Sequence, residues 1–290
     1  MSKVKIITDS CSDLPAAIIE KYGIEFLNIE VNIDNKIYYD RADLEPKDFY
    51  NLIKDQKQVP KTSRLTPDKF KNIYQKYLND YDHILVIAFS SKLSGILESA
   101  VIAKKEMAAE KITIIDSKAA SIGQGILVYQ AAKMLKNGQK LKEVVNKTMA
   151  DAAKMEHIFA VGDLEMLKRG GRISKAKALM ANVLNIKPIL HILDGEILPH
   201  DKVRGKKRMI SYLLKEIKTK ADQPENQVIG LAYSEDQEAA LKLKKEIEKE
   251  FEPKEVFLTE IGAAVGSHAG PGTLAIVFKN SKEIAKPKLY

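Results

Sequence analysis

The chain has 290 residues, a net charge of +8 from 47 Lys or Arg against 39 Asp or Glu, and a hydrophobic fraction of 45%. This length predicts two domains of ordinary size, with enough apolar residues for full cores. The apolar runs are too short to span a bilayer and the first residues show no secretory segment, so we expect a cytoplasmic protein. The single cysteine, Cys11, excludes an intramolecular disulfide and is typical of a reducing compartment.

The positive charge raises the question of nucleic-acid binding. Most of the excess is lysine spread over predicted helices with acidic neighbours, which favours solvated helix faces. The sequence contains no Trp and no recognition-helix or RNA-module signature, so we expect no nucleic-acid partner. One denser basic cluster remains to be explained, at Lys202, Arg204, Lys206, Lys207 and Arg208.

The first half of the chain alternates predicted strands with predicted helices. Strands are predicted at 5–8, 25–31, 84–89 and 111–115, with a short hairpin partner at 36–39. Helices are predicted to end near residues 22, 57, 78, 135 and 154, and another begins at residue 96. Ser12 or Asp13 is expected to cap the first helix. This alternation indicates a parallel α/β sheet.

A strand and a serine-rich turn form the centre of this half. The apolar run Ile84–Phe89 is typical of a strand buried on both faces, and the turn Ser90–Gly95 separates it from helical spacing. Free N–H groups at a helix start favour an anion, and Ser91 and Ser94 add neutral hydroxyls. The turn therefore predicts a site for a small anionic head group. Capping of the helix by Ser94 explains that one residue equally well.

A second polar segment, residues 60–67, precedes this strand. It contains two prolines and the pair Thr62 and Ser63, and its end, Thr66-Pro67, is a good helix start. Ordinary turn polarity would explain Thr62 and Ser63. Because the segment lies just before the strand and the serine turn, we expect the two loops to meet over one site.

The second half changes in character near Glu156. Strands are predicted at 157–161, 228–233, 255–260 and 273–278, and Asp194-Gly195 joins 186–193 to 196–203 in a hairpin. Helices are predicted at 176–184, at 206–218 and, after a capping box at 234–237, up to residue 251, whereas 261–272 is interpreted as a glycine-rich loop. The predicted fold class is α/β with two domains. An N-terminal parallel-sheet α/β domain covers 1–156, and a C-terminal α/β domain with a mixed sheet covers 157–290.

The usual catalytic signatures are missing from the sequence. It has no phosphate-binding P-loop, no complete dinucleotide fingerprint and no nucleophile elbow. The histidines are scattered without metal-ligand spacing, and only His268 is a candidate for a polar role in a site, with turn stabilisation as the alternative. Cys11 has no His nearby in sequence to activate it. We therefore expect no catalytic residue, no metal and no cofactor.

Several short motifs follow one another in a set order, at Thr8–Pro15, Lys61–Ser63, Ser90–Gly95, Asp116–Ser117 with Ser121–Gly125, Leu167–Ile173, Asn185–Pro188 and Gly266–Gly272. In this order and spacing the chain resembles the DegV family over essentially its whole length. One departure is the run Arg64-Leu65-Thr66-Pro67, where the family more usually has Gln-Pro-Ser after the Thr-Ser pair. The departure predicts a loop rim that is more basic and more apolar.

The resemblance implies a fatty-acid-binding protein with an apolar tunnel between sheet and helices. It implies that Thr62 and Ser94 hydrogen-bond the carboxylate of the acid, with Ser63 beside them and His268 and Arg172 near it. The better-understood members of the family are the non-catalytic, lipid-binding subunit of a bacterial fatty acid kinase. A separate ATP-dependent subunit phosphorylates the bound acid to an acyl phosphate, which feeds phospholipid synthesis.

The candidate tunnel residues are apolar side chains after the serine turn and around the predicted helix 176–184, namely Ile96, Leu97, Leu179, Met180, Val183, Leu184 and Ile186. Each of them could equally belong to an ordinary core. About fourteen buried methylenes would contribute on the order of 10 kcal/mol, whereas hydrogen bonds contribute about 1 kcal/mol each. We therefore expect the hydrocarbon tail to supply the affinity and the polar residues to position the head group.

The basic cluster is expected to dock the kinase subunit through Lys202, Arg204 and Lys206, with phosphate steering and a solvated patch as alternatives. The expected partners are thus a long-chain fatty acid and that kinase subunit, and transient membrane contact is left open. The main alternative function is a stand-alone small-molecule transferase or kinase that binds phosphate at the serine turn. A nucleic-acid binder is a third class, suggested by the charge alone.

Overall fold

The computed structural model describes residues 3–54, 60–173 and 186–290. Among them, the strands are β1 (Val4–Asp9), β2 (Glu25–Leu27), β3 (Glu30–Ile33), β4 (Lys36–Tyr39), β5 (Lys61–Ser63), β6 (His83–Ala88), β7 (Ile112–Asp116), β8 (Met155–Ala160), β9 (Ile186–Leu193), β10 (Glu196–Arg204), β11 (Val228–Tyr233), β12 (Glu255–Glu260), β13 (Leu274–Lys279) and β14 (Lys288–Leu289). The helices are α1 (Ala16–Tyr22), α2 (Pro46–Ile53), α3 (Pro67–Leu78), α4 (Ile96–Glu106), α5 (Ile122–Lys136), α6 (Leu141–Lys154), α7 (Glu165–Arg169), α8 (Lys206–Lys220), α9 (Gln237–Phe251) and α10 (Ala263–Ala269). None of these helices is long and apolar enough to cross a membrane.

The first sheet has the strand order β14-β7-β6-β1-β2. Strands β1, β2, β6 and β7 run parallel, as the alternation of elements predicts. Strand β6 is buried on both faces, because Ile84 and Val86 enter one core while Leu85 and Ile87 enter the other. The last strand, β14, returns from the C-terminal tail to pair antiparallel with β7, which the sequence analysis did not predict.

The second sheet is mixed, with the order β10-β9-β8-β13-β11-β12. Only β11 and β12 are parallel neighbours, and the predicted hairpin is formed by β9 and β10. Helices α8 and α9 cover one face of this sheet and form a core with it. The opposite face turns toward the first sheet, since Phe159 and Ile192 join one of the first half's cores and Val277 joins the other. The α/β fold class with parallel and mixed sheets is confirmed, and the domain boundary at 156/157 stays a prediction.

A small third sheet, β4-β3-β5, was only partly predicted. The expected strand 25–31 is divided, because the Asn28 amide donates to the Asp40 carbonyl and the Ile29 N–H donates to Ser10. Strand β2 therefore stays in the first sheet while β3 leaves it. The segment with Thr62, predicted as a loop, is strand β5, which pairs antiparallel with β3.

Several helix ends differ from the sequence predictions. Helix α2 ends at Ile53 rather than near residue 57, and the predicted helix 176–184 lies outside the described residues. Helix α9 is capped by Asp236, whose side chain accepts from the Ala239 N–H, so the predicted capping box is wrong. The predicted cap was lost because the hydroxyl of Ser234 bonds the Gly270 carbonyl and the Thr273 N–H instead.

Neither Ser12 nor Asp13 caps α1 as predicted, since Pro15 occupies that position without a side-chain cap, and the Asp13 carboxylate instead joins distant segments of the chain. It accepts from Arg41 at 2.9 Å, from the Gly262 N–H at 2.8 Å and from the Ser121 hydroxyl. The Asp13 side chain is fully buried and that of Arg41 is 15% exposed. One buried charge therefore fixes the chain after β1, the start of α5 and the start of α10 against one another.

Replacing Asp13 by Asn should destabilise the protein strongly. The change leaves the Arg41 guanidinium without its closest counter-charge, and breaking a buried ion pair in this way costs about 3–5 kcal/mol. Urea unfolding measures the loss. Glu250→Gln is the control, because it removes an exposed ion pair with Lys218, which should cost less than about 1 kcal/mol. Equal losses in the two variants would contradict this role of Asp13.

Candidate functional site

A cavity of about 360 Å³ lies between the first and the second sheet. Cavities of this size hold small molecules in many proteins. Its lining is mostly apolar and comes from both halves of the chain, with Ile29, Phe89 and Ile96 from the first and Phe159, Ile192, Ile197, Ala275 and Val277 from the second. The inner face of the second sheet thus forms one wall of the cavity.

The cavity follows one segment of the second sheet. Thr273, just before β13, and Ala275 and Val277 on it share one face, and all three line the cavity, so the cavity extends over about 13 Å along this segment. Ala275 and Val277 pair with Phe159 and His157 of β8, which line the same wall. We call this apolar cavity, where it follows residues 273–277, the channel.

Polar residues from four different segments meet at the same cavity. Thr62, Ser63, Ser94, Arg172 and His268 all belong to its lining. Thr62 Oγ1 lies 2.9 Å from His268 Nε2, although the two residues are 206 positions apart in the sequence. The two segments expected to meet, 60–67 and Ser90–Gly95, both contribute to this lining, and Arg64 lies directly beside Gly95. The binding role of these five residues stays a prediction.

His268 lies on helix α10, and not in a loop as predicted. Glycines allow this short helix to pack closely, because a Cβ on Gly266 would lie 2.6 Å from the Tyr50 hydroxyl. Burial and, to a smaller extent, the positive charge of Arg172 together lower the pKa of His268 from 6.5 to about 4. At neutral pH His268 is therefore uncharged. Gly170 is needed beside it, since a Cβ there would lie 2.2 Å from His268 Nδ1.

The hydroxyls of the serine turn have two different surroundings: those of Ser90 and Ser91 bond neighbouring protein groups, whereas Ser94 lines the cavity. Ser91 is expected from the sequence to donate to the head group. This prediction is wrong, because the Ser91 hydroxyl donates to the Asp116 carboxylate at 2.6 Å and Ser91 does not line the cavity. Asp116 also forms a buried ion pair with Lys118 at 2.9 Å. Ser90 donates to the Gly195 carbonyl at the tip of the β9–β10 hairpin. These contacts fix the turn through residues that do not line the cavity.

Ser94 is the hydroxyl of the turn that lines the cavity. It is not the cap of α4, since Gly95 occupies that position without a side-chain cap. The Ser94 hydroxyl lies 3.4 Å from the Ile96 N–H, which is too long for a strong bond. Arg172 is tied to the same turn, because its Nε donates to the Leu93 carbonyl at 3.1 Å.

The unusual pair Arg64-Leu65 only partly agrees with the prediction for the rim. Arg64 is exposed and lines the cavity, so the rim is more basic. Leu65 is buried in the core beneath it, so the rim is not more apolar.

Of the predicted tunnel residues, Ile96 lines the cavity. Leu97 does not, because one further residue of helix turns its side chain away into the core with Phe70. Ile186 does not either, because it lies six residues, or about 20 Å of strand, from the lining residue Ile192. The other four, Leu179, Met180, Val183 and Leu184, lie outside the described residues.

Sequence reasoning missed most of the wall that the second sheet provides. Phe159, Ile192, Ala275 and Val277 look like ordinary strand residues in the sequence. The usable signal was the alternation of small and apolar side chains in Thr273-Leu-Ala-Ile-Val277. Which face of that strand is turned toward the first sheet could be known only from the packing.

His157 lines the part of the cavity near Val277 and is buried. Its Nε2 accepts from the Ala120 N–H at 3.3 Å, so its Nδ1, 3.2 Å from the Met155 carbonyl, carries the proton. Burial lowers the pKa of His157 from 6.5 to about 4. Gly123 is required next to it, since a Cβ there would lie 2.0 Å from its Nε2.

The buried His157 should make stability depend on pH. Between pH 6.5 and 4 the unfolded chain binds a proton that folded His157 does not, so stability is lost as the pH falls through this range. His157→Gln removes this contribution. The stability of the wild type relative to the variant should therefore fall by up to about 1.4 kcal/mol per pH unit on acidification.

Urea unfolding of both proteins from pH 7.5 to 4 measures this difference. Burial raises the pKa of Asp9 to about 6 and that of Asp40 to about 7, so these groups have the opposite effect on stability. Both proteins contain them, and their effect cancels in the comparison. If the free energies of unfolding of the wild type and His157→Gln change in parallel with pH, His157 is not held neutral in the folded protein.

Comparison with known proteins gives a consistent result. A family model described as an uncharacterised protein of the DegV family matches residues 3–281. A DegV domain-containing protein of Clostridium perfringens is 38% identical over 96% of this chain and 98% of its own length. A protein of Thermotoga maritima named fatty acid-binding protein is 35% identical over 94% of this chain and 96% of its own.

Solved structures agree with these relatives. A fatty-acid-binding DegV family protein of Thermus thermophilus superimposes with a TM-score of 0.90 at 32% identity, covering 96% of this chain and 99% of that one. The similarity extends over nearly the whole length in each comparison. The chain therefore belongs to the DegV family.

Proposed function

We propose that this protein binds a long-chain fatty acid and presents its carboxylate to a separate ATP-dependent kinase subunit. The observation that carries the proposal is the mostly apolar cavity between the two sheets, with Thr62, Ser94, Arg172 and His268 in its lining. Relatives that are named or described as fatty-acid-binding, at 32–35% identity, support the choice of ligand. The two-domain division at 156/157, a cytoplasmic location and transient membrane contact belong to the same proposal.

The apolar wall and the polar residues contribute differently to binding. Each buried methylene contributes about 0.8 kcal/mol, so roughly fourteen of them contribute on the order of 10 kcal/mol. Two or three hydrogen bonds of about 1 kcal/mol each are small beside this. Affinity for the acid thus comes from the hydrocarbon, and Thr62, Ser63 and Ser94 decide where the carboxylate lies.

The chemistry of the polar residues suits presentation rather than catalysis. Neutral hydroxyls and an uncharged His268 hydrogen-bond a carboxylate without forming an ion pair with it. The Arg172 guanidinium already donates to the Leu93 and Gly170 carbonyls, so an oxygen of the carboxylate keeps its nucleophilic character. That oxygen would attack the γ-phosphorus of ATP bound by the partner, forming the acyl phosphate and releasing ADP. The sequence contains no phosphate-binding P-loop, which is why the proposal assigns ATP to the other subunit.

Lipid extracted from the purified protein tests the ligand directly. Denaturing mass spectrometry should find a long-chain fatty acid in the wild type. Ala275→Phe should reduce the bound lipid on the order of tenfold, because the ring fills the channel between Phe159 and Ala232.

Ala150→Leu is the matched control for this experiment, since it adds apolar atoms at an exposed helix position away from the cavity. It should retain the lipid of the wild type, and thermal unfolding confirms that both variants are folded. If no long-chain acid co-purifies and none raises the melting temperature, the proposed ligand is wrong.

The docking face is proposed at Lys202, Arg204 and Lys206, at the end of β10 and the start of α8. All three are exposed, and Lys206 pairs with Asp236 at 2.8 Å. Strand β10 is the edge of its sheet, so a partner can reach these side chains. A basic patch of this kind fits an acidic surface on the kinase subunit.

Arg204→Glu should lower acyl phosphate formation by the two subunits at least about tenfold while the bound lipid stays the same. The reversed charge repels the acidic partner surface but leaves the cavity intact. Turnover measured against the concentration of the kinase subunit reports the change. Lys142→Glu, an exposed reversal on α6, is the control. Unchanged turnover in Arg204→Glu would remove this residue from the docking face.

A further inference from the structure

Arg64 occupies a special position at the rim of the cavity. It follows strand β5 directly, two residues after Thr62, and its side chain belongs to the lining. The guanidinium lies over the start of helix α4, where a Cβ on Gly95 would be only 3.1 Å from Arg64 Cδ and Nη1. A glycine at this position therefore lets Arg64 lie across the turn that carries Ser94.

The partner of Arg64 within the chain is weakly held. Its Nη1 lies 3.3 Å from Glu98 Oε2, and the two side chains are 58% and 68% exposed. Ion pairs this exposed contribute little to stability and are screened by salt. Arg64 can exchange Glu98 for another anion at little cost, and Glu98 offsets its charge until such an anion arrives.

Two guanidinium groups, those of Arg64 and Arg172, line the cavity, which is more positive charge than one carboxylate needs for balance. Arg172 already lines the cavity, while His268 is neutral. A fatty acid brings one negative charge, whereas a phosphorylated head brings nearly two and three acceptor oxygens. A guanidinium matches phosphate oxygens in a bidentate geometry. Arg64 is also more exposed than Thr62, so it lies on the outer side, where a phosphoryl group would extend.

We infer that Arg64 is a specificity residue that distinguishes a phosphorylated acyl head from a free carboxylate. It leaves Glu98 and binds the phosphoryl oxygens, so the protein holds the acyl phosphate more tightly than the acid from which it is made. This inference rests on the proposed function and extends it to the product. The residue acts on the head group alone, because the hydrocarbon occupies the same apolar channel in both ligands.

Titration calorimetry with two ligands of equal chain length tests the inference. Lipid-free protein at pH 8 is titrated with palmitate and with hexadecyl phosphate, a stable alkyl phosphate. Arg64→Gln should lower the affinity for hexadecyl phosphate about tenfold and that for palmitate about twofold or less. Arg64→Lys, which keeps the charge but loses the fork, should be intermediate.

Two further variants separate this role from general damage to the site. Glu98→Gln removes the competing carboxylate and should raise the affinity for hexadecyl phosphate about two- to fivefold. Thr62→Val, which removes the hydroxyl that contacts His268, should weaken both ligands by similar factors. Raising the salt concentration should weaken hexadecyl phosphate more than palmitate, and Arg64→Gln should reduce this difference.

The outcomes distinguish this inference from the proposed function. If the wild type binds palmitate but Arg64→Gln weakens both ligands equally, or neither, the inference about Arg64 is wrong and the proposed function stands. If the wild type binds neither ligand, the proposed function fails first. A selective loss of hexadecyl phosphate binding, with the opposite change in Glu98→Gln, supports the assigned role.

Discussion

The buried carboxylate of Asp13 is the constraint on which the rest of the structure depends. Its charge is compensated by Arg41, and its oxygens also bond Ser121 and the Gly262 N–H. Arg41 lies just after β4, Ser121 directly before α5 and Gly262 directly before α10. Because α10 carries His268 and the residue before α5 lines the cavity, one charge sets the distance between the two walls. A charge this deeply buried is tolerated only while all of its partners are in place.

Around this constraint, the polar site is built in layers. Thr62 and Ser94 line the cavity, and their backbones are held by residues that do not touch it. Strand β3 holds Thr62 through its ladder, and the hairpin tip at Gly195 bonds Ser90 behind Ser94. Motif residues such as Ser90 and Asp116 therefore serve to position the site. The hydroxyls are consequently held in place by the protein itself, and under the proposed function this preorganisation favours one orientation of the carboxylate.

Local patterns predicted much of the fold. The apolar run Ile84–Phe89, the alternation of elements and the Asp194-Gly195 turn each depend on neighbouring residues, so they could be recognised in the sequence. The glycine-rich segment 261–272 was predicted as a loop for the same local reason, because glycine disfavours helix. Its glycines serve packing instead, since Gly266 lies against Tyr50. That contact joins residues more than two hundred positions apart and leaves no local signal.

By itself, the sequence determined the fold class, the family resemblance and the set of polar residues expected around one head group. These follow from periodicity, turn chemistry and motifs that are read along the chain. Only the tertiary structure decided which hydroxyls line the cavity and which support it, that Leu65 is buried while Arg64 is exposed, and which face of β13 forms the wall. The physical reason is that these properties depend on contacts between segments from the two halves of the chain, whose relative placement is set by burial and by the partners of Asp13.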